Sequence, residues 1–173
     1  MDFSKVILVN ESDQEIGIMD KLEVHKKGIL HRAISVFVFN SKGEWLLQQR
    51  ASDKYHSGGL WTNTCCSHPA PGESTAVAAE RRLIQEMGMH CSLKPVFNFI
   101  YRDELDNNLT EHELDHVFVG YSDDIPKINT AEVKDYAYID FGEIENKVRQ
   151  RPDLYTAWFK RIFRKVHETV NQK

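Results

Sequence analysis

Two apolar runs separated by a short polar segment constrain the fold of this chain more than any other feature of its sequence. Ala33–Phe39 and Trp45–Arg50 flank the tetrapeptide Asn40-Ser41-Lys42-Gly43. Apolar runs of this length, joined by four residues that include Asn and Gly, are typical of a β-hairpin. The sequence therefore predicts a hairpin that belongs to the core.

The periodicity becomes helical farther along the chain. The pattern predicts a helix from Ser74 to Met87, with Ser74 as its N-cap and Gly88 as its stop. The apolar stripe of this helix consists of Ala76, Ala79, Leu83 and Met87.

Segments rich in Val, Phe, Tyr and Ile predict further strands, which are Val6–Asn10, Pro95–Arg102, Glu113–Ser122 and Tyr136–Asp140. Phe141–Arg149 predicts a short helix. A long amphipathic helix after Pro152 is predicted from the repeat Leu154, Trp158, Ile162, Val166 and Val170. The mixed order of elements indicates an α+β fold, and 173 residues without repeats or linkers predict one domain over residues 1–173.

Charge and cysteine content narrow the function classes. A formal net charge of −4 provides no global positive field, so we expect neither nucleic-acid nor membrane binding, and an anionic ligand would need a local basic pocket. The longest dense apolar run, Ala33–Phe39, is far shorter than the roughly 20 residues of a membrane-spanning helix. Three cysteines, Cys65, Cys66 and Cys91, and no recognisable secretion signal favour a reducing, cytoplasmic location.

Three carboxylates alternate along one predicted strand. Glu111, Glu113 and Asp115 would lie on one face of it, about 6–7 Å apart at each step. Such a pattern is typical of a solvated edge strand. Because the segment leads into the apolar Val117–Val119, a strand that enters the core and binds a metal is the alternative.

A thiol and an imidazole occur two residues apart in a neighbouring segment. Pro69 favours an extended conformation for His68, which would then share a face with Cys66. The pair could act in acid–base or nucleophilic chemistry, or Cys66 could simply fill a buried loop. Both interpretations stay open on this segment alone.

Histidines and cations elsewhere could complete a site. His25 and His31 match no metal motif by spacing, but together with His68 and the glutamates they are ligand types for Zn, Mn or Fe. Cations that could converge on phosphate are Lys21, Arg50, Lys54 and Arg82. The simpler interpretation of Arg82 is an ion pair with Glu86, which would contribute about 0.3 kcal/mol.

The helix Ser74–Met87 resembles the Nudix helix, whose signature is G(x5)E(x7)REUxEExGU, with U an apolar residue. The aligned positions are Ser67, Glu73, Arg81, Arg82, Leu83, Gln85, Glu86 and Gly88. The opening Gly and two metal-binding carboxylates are missing. A Nudix-like scaffold with a different chemistry fits this pattern better than a diphosphate hydrolase.

Three segments, WTNTCCSHP, ERRLIQEMG and TEHEL, together closely resemble the type I isopentenyl diphosphate isomerase family. The match extends from about Ile7 to Trp158. It implies a Nudix-like mixed sheet sandwiched by helices, and isomerisation of isopentenyl diphosphate to dimethylallyl diphosphate in isoprenoid biosynthesis.

The resemblance also implies roles for individual residues. Cys66 is similar to the catalytic thiol of the family, Glu113 to its catalytic carboxylate, Tyr101 to the tyrosine beside that carboxylate, and Trp158 to its aromatic cap. The ligands of one Zn or Mn ion would be His25, His31, His68, Glu111 and Glu113. Glu86 would hold a Mg ion that bridges to the diphosphate, and the four cations Lys21, Arg50, Lys54 and Arg82 would surround that group. We expect a monomer.

Two features depart from the family pattern. Cys65 adds a second thiol beside Cys66, and the interval from His25 to His31 is one residue shorter than in the family. Two rival functions are a Nudix hydrolase of nucleoside diphosphates, which would not need Cys66, and a non-catalytic binding module stabilised by metal. No role is expected for Cys91, His56, His90, His112, His116 and His167.

Overall fold

The computed structural model describes residues 1–172, which contain nine strands and four α-helices. The strands are β1 (Lys5–Val9), β2 (Glu15–Asp20), β3 (His31–Phe39), β4 (Trp45–Arg50), β5 (Trp61–Thr62), β6 (Cys65–Ser67), β7 (Leu93–Glu104), β8 (Thr110–Tyr121) and β9 (Val133–Ile139). The helices are α1 (Lys21–Lys27), α2 (Thr75–Met87), α3 (Phe141–Gln150) and α4 (Ala157–Asn171). The strands and helices predicted from the sequence are all present, with small shifts at their ends.

Strand β3 is the centre of the sheet. Its full length pairs in parallel with β8, which in turn pairs antiparallel with β7. Three strands share the other edge of β3. Strand β1 pairs with it at His31, β6 at Ile34–Val36 and β4 at Val38–Phe39. The predicted hairpin of β3 and β4 is confirmed, but it pairs at only two positions because β6 occupies the edge beyond them. This split places Cys66 opposite Ser35 in the middle of the sheet.

Helices cover both faces of the sheet. On one face, α2 packs over an apolar cluster that includes Ile34, Val36, Cys65, Leu83, Met87 and Phe118. On the other face, α3 and α4 pack over a cluster that includes Phe37, Val117, Ile144, Trp158, Phe159 and Phe163. The fold is therefore α+β, with a mixed sheet between helices, as predicted.

Local interactions define the ends of α2. The Ser74 side chain accepts a hydrogen bond from the Val77 amide (3.3 Å), which is the predicted N-cap. Gly88 ends the helix with a φ of 61°, and a Cβ there would meet Lys127 O at 2.5 Å, so only glycine fits. Ala76 was expected in the buried stripe but is exposed, because the buried face begins at Ala78.

Two elements near the amino terminus were not predicted. Strand β2 lies at the sheet edge and exposes Ile16 and Ile18, so its apolar residues do not mark a buried face. Helix α1 has seven residues, too few for a clear period, although Asp20 caps it by accepting from the Leu22 amide (2.9 Å). Together they position Lys21 and His25.

The terminal amphipathic helix is confirmed, but α4 begins at Ala157 rather than at Leu154. Leu154 ends a 3₁₀ turn and is exposed, whereas Trp158, Ile162 and Val166 are buried. None of the helices within residues 1–172 is long and apolar enough to cross a bilayer. The last residue of the predicted domain, Lys173, lies outside the described residues.

Candidate active site

A polar cavity lies where β6 and β8 approach α1, α2 and the start of α4. It is lined by most of the residues singled out in the sequence, namely Lys21, Arg50, Lys54, Cys66, His68, Arg82, Glu86, Glu111, Glu113 and Trp158. Three others, His25, His31 and Tyr101, are buried directly behind its wall. The structure thus brings together side chains that are distant in the sequence.

The register of the central strands explains why these side chains meet. His31 lies opposite Glu113 across the parallel pair, and Ser35 lies opposite Cys66 across the antiparallel pair. Because residues that are paired across strands share a face, the thiol and the carboxylate project from the same face of the sheet, on opposite sides of β3. This is the face covered by α4.

Cys66 is half-buried in the cavity wall. Its Sγ lies 3.7 Å from Nη1 of Arg50. Burial raises the pKa of the Cys66 thiol to about 12, although the positive charge of Arg50 opposes this shift. The thiol therefore carries its proton at neutral pH, as a proton donor must.

Glu111 and Glu113 share one hydroxyl group. Tyr101 Oη lies 2.9 Å from Glu111 Oε2 and 2.7 Å from Glu113 Oε2. One hydroxyl proton can serve only one of these oxygens, so both short contacts are hydrogen bonds only when one carboxyl is itself protonated. The three side chains form a short path along which a proton can move.

The surroundings of the two carboxyl groups determine which of them is ionised. Burial disfavours ionisation of Glu113, but the hydrogen bond from His68 Nε2 (2.8 Å) and the neighbouring imidazole of His31 outweigh it and hold the pKa of Glu113 well below its usual value. Burial raises the pKa of Glu111, and the negative charge of Glu113 raises it further. Glu113 is therefore the ionised member and Glu111 the protonated one. The interpretation of this segment as a solvated edge strand was wrong, since β8 lies inside the sheet and both carboxyls are buried.

Backbone carbonyls fix the tautomers of two histidines. His25 Nδ1 donates to Lys21 O (2.6 Å), and His31 Nδ1 donates to Ile29 O (2.8 Å). A carbonyl can only accept, so each Nδ1 carries the proton, and each Nε2 of the neutral ring keeps a free lone pair. This is the arrangement that outer partners impose on metal-binding histidines.

The donor atoms converge to a spacing that fits one cation. Ligand atoms of His25, His31, His68 and Glu113 all lie within 4.8 Å of one another. His31 Nε2 approaches His68 Nε2 at 3.1 Å, and within residues 1–172 the buried His25 Nε2 and His68 Nδ1 have no hydrogen-bond partner. Three imidazoles and a carboxylate with unpartnered nitrogens fit a divalent ion of the Zn or Mn kind.

Four cations surround the opposite part of the cavity. Lys54 and Arg82 share the carboxylate of Glu132, and the Arg82–Glu132 contact is 3.1 Å long. Burial, together with the charges of Arg82, Lys54 and Arg50, lowers the pKa of Lys21 to about 8. Positive charges held this close, with few anionic partners, create a site for a polyanion such as a diphosphate.

Glu86 is a buried carboxylate beside these cations. Its oxygens accept from Arg82 Nε (3.0 Å) and Gln48 Nε2 (2.6 Å). Magnesium is commonly held by one or two protein carboxylates plus phosphate oxygens of a substrate, so a buried carboxylate next to an anion site fits that ion.

Trp158 forms an aromatic wall of the cavity. Its Nε1 donates to Asn63 Oδ1 (3.2 Å), which fixes the indole plane. The guanidinium carbon of Arg50 lies 5.3 Å from the ring centroid. The indole face therefore already binds a cation in this site.

Sequence reasoning missed His56, for which no role was expected. The structure places this buried histidine in the cavity, with Nε2 3.7 Å from Glu111 Oε1. Glu132, which pairs with Lys54 and Arg82, was missed as well. Neither residue has a diagnostic spacing, because both lie in irregular loops whose path depends on tertiary contacts.

Sequence comparison identifies the relatives of the chain. Residues 29–159 match the NUDIX domain family. An isopentenyl-diphosphate Delta-isomerase of Pectobacterium atrosepticum is 54% identical over 166 residues, which are 96% of this chain and 93% of the relative. Isopentenyl-diphosphate Delta-isomerase 2 of Aromatoleum aromaticum is 51% identical over 89% of this chain and 82% of the relative.

Solved structures share the fold at lower identity. A protein of Deinococcus radiodurans superposes with a TM-score of 0.70 at 16% identity, over 84% of this chain and 89% of that chain. A MutT protein of Methanosarcina mazei superposes with a TM-score of 0.67 at 19% identity, over 83% of this chain and 96% of that chain. Identities this low establish the fold alone, whereas the sequence relatives are far closer and match nearly the whole chain. The chain therefore belongs to the isopentenyl-diphosphate Delta-isomerase family and carries the NUDIX domain.

Proposed function

We propose that this chain interconverts isopentenyl diphosphate and dimethylallyl diphosphate, with Cys66 and Glu113 as its two acid–base groups. The observation that supports this most directly is that the thiol and the carboxylate line one cavity from opposite sides of β3. The reaction needs one proton added to the terminal alkene carbon and another removed from the carbon on the far side of the double bond. Two groups that flank one substrate satisfy this need.

The protonation states of the two groups are complementary. The thiol of Cys66 is neutral and holds a proton, while Glu113 is ionised and can accept one. Tyr101, hydrogen-bonded to Glu113, holds the carboxylate in place and offers a path for its proton. In one direction the thiol would deliver a proton and the carboxylate would remove one, and the reverse reaction would start from the exchanged protonation states of the same pair.

Protonation of an unactivated alkene creates a tertiary carbocation, which the cavity must stabilise without trapping. The indole of Trp158 offers a π face with no nucleophilic atom on it. A desolvated cation–π contact contributes about 2 kcal/mol. Trp158 is 2% exposed, so water has little access along this wall.

The cations provide binding energy remote from the reacting carbons. Lys21, Arg50, Lys54 and Arg82 would hold the diphosphate, and a Mg ion carried by Glu86 would lower its charge. Binding energy of this kind can be used to orient the five-carbon chain between thiol and carboxylate.

His25, His31, His68 and Glu113, with Glu111 beside them, would hold one Zn or Mn ion. Such an ion supplies positive charge that tunes the proton affinity of the carboxylates. The residues themselves keep Glu113 buried, oriented and shielded from bulk water.

A product assay with Mg2+ and isopentenyl diphosphate tests this function. We expect dimethylallyl diphosphate without release of phosphate or diphosphate, and no turnover of nucleoside diphosphates. Release of phosphate would instead support the hydrolase that the NUDIX domain would otherwise suggest. Absence of any conversion would contradict the isomerase.

Three further features belong to this proposal. We infer a single domain, since one continuous sheet carries both apolar clusters and the cavity. A cytoplasmic location and a monomeric state stay predictions. The three free thiols are compatible with a reducing compartment.

A further inference from the structure

His56 is held in the cavity by a loop that its own neighbours fix. Arg50 donates through Nη2 to His56 O (3.3 Å) and through Nε to Ser57 O (3.2 Å). The Ser57 amide donates to Asp106 Oδ1 (3.1 Å), which attaches the loop to the segment before β8. The imidazole is 4% exposed, so the fold excludes it from solvent and directs it inward.

The ring of His56 faces donor atoms of the proposed metal centre. It stacks on the ring of His25, with centroids 5.6 Å apart and an interplanar angle of 29°. Its Nδ1 lies 3.3 Å from Ser57 Oγ, which leaves Nε2 directed toward Glu111. One ligand atom from each of His25, His56 and Glu111 lies within 4.8 Å of the other two.

The separation of His56 from Glu111 suits two ligands of one ion better than a hydrogen bond. Nε2 and Oε1 are 3.7 Å apart, which is too long for a hydrogen bond. Two atoms that each bind one ion at about 2.1 Å lie about 3.0–3.4 Å apart, so a small closure around a cation would bring both within reach.

We propose that His56 Nε2 is an additional nitrogen ligand of the divalent cation at this centre, beside Glu111. This inference rests on the metal centre of the proposed function. Four imidazoles from His25, His31, His56 and His68 favour a borderline ion such as Zn2+ or Co2+, and to a smaller extent Mn2+, over Mg2+, which prefers oxygen ligands and water. A neutral fourth imidazole adds affinity without adding charge to the carboxylate pair.

Titration of the metal-free full chain with Mn2+ tests this ligand. Free Mn2+ is quantified by its EPR signal, and pulsed EPR of the bound ion reports coupled imidazole nitrogens. The variants are His56→Ala and His56→Asn, with His90→Ala at an exposed position as the matched control and His68→Ala as a variant of the proposed main site. Circular dichroism checks that each variant is folded, and His56→Asn keeps the test decisive if the alanine variant is unstable.

We expect both His56 variants to bind Mn2+ about 10- to 100-fold more weakly than the wild type and to lose part of the nitrogen coupling. His90→Ala should bind as the wild type does. Unchanged affinity and coupling in the His56 variants would overturn the proposal. Weaker binding with unchanged nitrogen coupling would also overturn it and assign His56 a positioning role through Glu111. Failure of the wild type to bind Mn2+ or Zn2+ would instead contradict the metal centre itself.

Discussion

Cys65 and Cys66 are adjacent in β6, but they belong to opposite faces of the sheet. Cys65 is fully buried in the apolar cluster under α2, and this burial raises the pKa of its thiol well above the usual value. Cys66 lines the polar cavity on the face covered by α4, within 3.7 Å of Arg50. The alternation of a β-strand thus gives one thiol a packing role and its neighbour a position where proton transfer is possible.

The two faces also differ in their energetics. The α2 face is lined by groups such as Ala79, Leu83 and Met87, whose burial stabilises the fold. The cavity face buries Glu111, Glu113 and several imidazoles, which cost desolvation free energy unless partners compensate. Substitutions on the α2 face should therefore reduce stability, and those on the cavity face should reduce turnover or ion binding.

The largest expected effect is that of Cys66→Ala. Removal of one acid–base group should lower kcat by a factor of about 10²–10⁴, while the free energy of unfolding and diphosphate binding change little. Steady-state kinetics and urea unfolding measure both quantities. Cys65→Ala is the matched control and should keep near-normal turnover. Near-normal turnover of Cys66→Ala would contradict the assignment.

Glu113→Gln should lower kcat by a similar factor of about 10²–10⁴, for the same reason. Unlike Cys66→Ala, it should also weaken Mn2+ binding, because the carboxylate faces both the cavity and the imidazoles. Kinetics together with metal titration separates the two variants. Glu168→Gln, at an exposed position of α4, serves as the control. A Glu113 variant with full turnover would remove the carboxylate from the mechanism.

Trp158→Leu should lower kcat about 30-fold, which corresponds to the loss of about 2 kcal/mol of cation–π stabilisation. Leucine remains apolar but has no π face, and Trp158→Phe should retain most of the turnover. The Michaelis constant should change little, since the ring acts on the carbocation. An increase in KM with an unchanged kcat would instead assign Trp158 to binding of the substrate in its ground state.

The pH dependence of substrate affinity tests the cation cluster. The pKa of Lys21 is lowered to about 8 in the free protein, and a bound diphosphate would raise it. The affinity for the diphosphate substrate is therefore highest well below pH 8, where Lys21 is charged. It decreases as the pH rises through 8, by about tenfold between pH 7 and pH 9. Lys21→Arg, which stays charged, should abolish this dependence. The same dependence in Lys21→Arg would show that another group titrates.

The smallest expected effect is the loss of stability caused by a substitution on the α2 face. Cys65→Ala should lower the free energy of unfolding by about 1 kcal/mol, because the small cavity it leaves is lined by apolar side chains. Urea unfolding measures this change, and the turnover of the folded fraction should stay the same. A large loss of turnover without a change in stability would mean that the two faces are coupled.

The sequence predicted most of the secondary structure because its signals were local. The Ser74 cap, the Gly88 stop and the hairpin loop act within a few residues, and all three are present in the structure. The exposed Ile16 and Ile18 of β2 carry no core signal, which is why that edge strand was missed. Helix α1 is too short to show a helical period.

The site required more than local patterns. Glu113 meets His31 through the parallel register of β3 and β8, a long-range pairing that no spacing encodes. The residues that the family resemblance implied for the site lie close together in the structure, and their individual roles stay predictions. His56 was missed because it has no diagnostic motif and reaches Glu111 only through the path of its loop.

Isomerisation in deuterated water tests the central claim most directly, since it follows both proton transfers at once. With the wild-type protein and isopentenyl diphosphate, we expect dimethylallyl diphosphate that carries deuterium in a methyl group, detected by NMR and mass spectrometry. Cys66→Ala and Glu113→Gln should each form little product and incorporate little deuterium. Product without deuterium, or full exchange in either variant, would contradict a mechanism in which the thiol and the carboxylate act on one substrate.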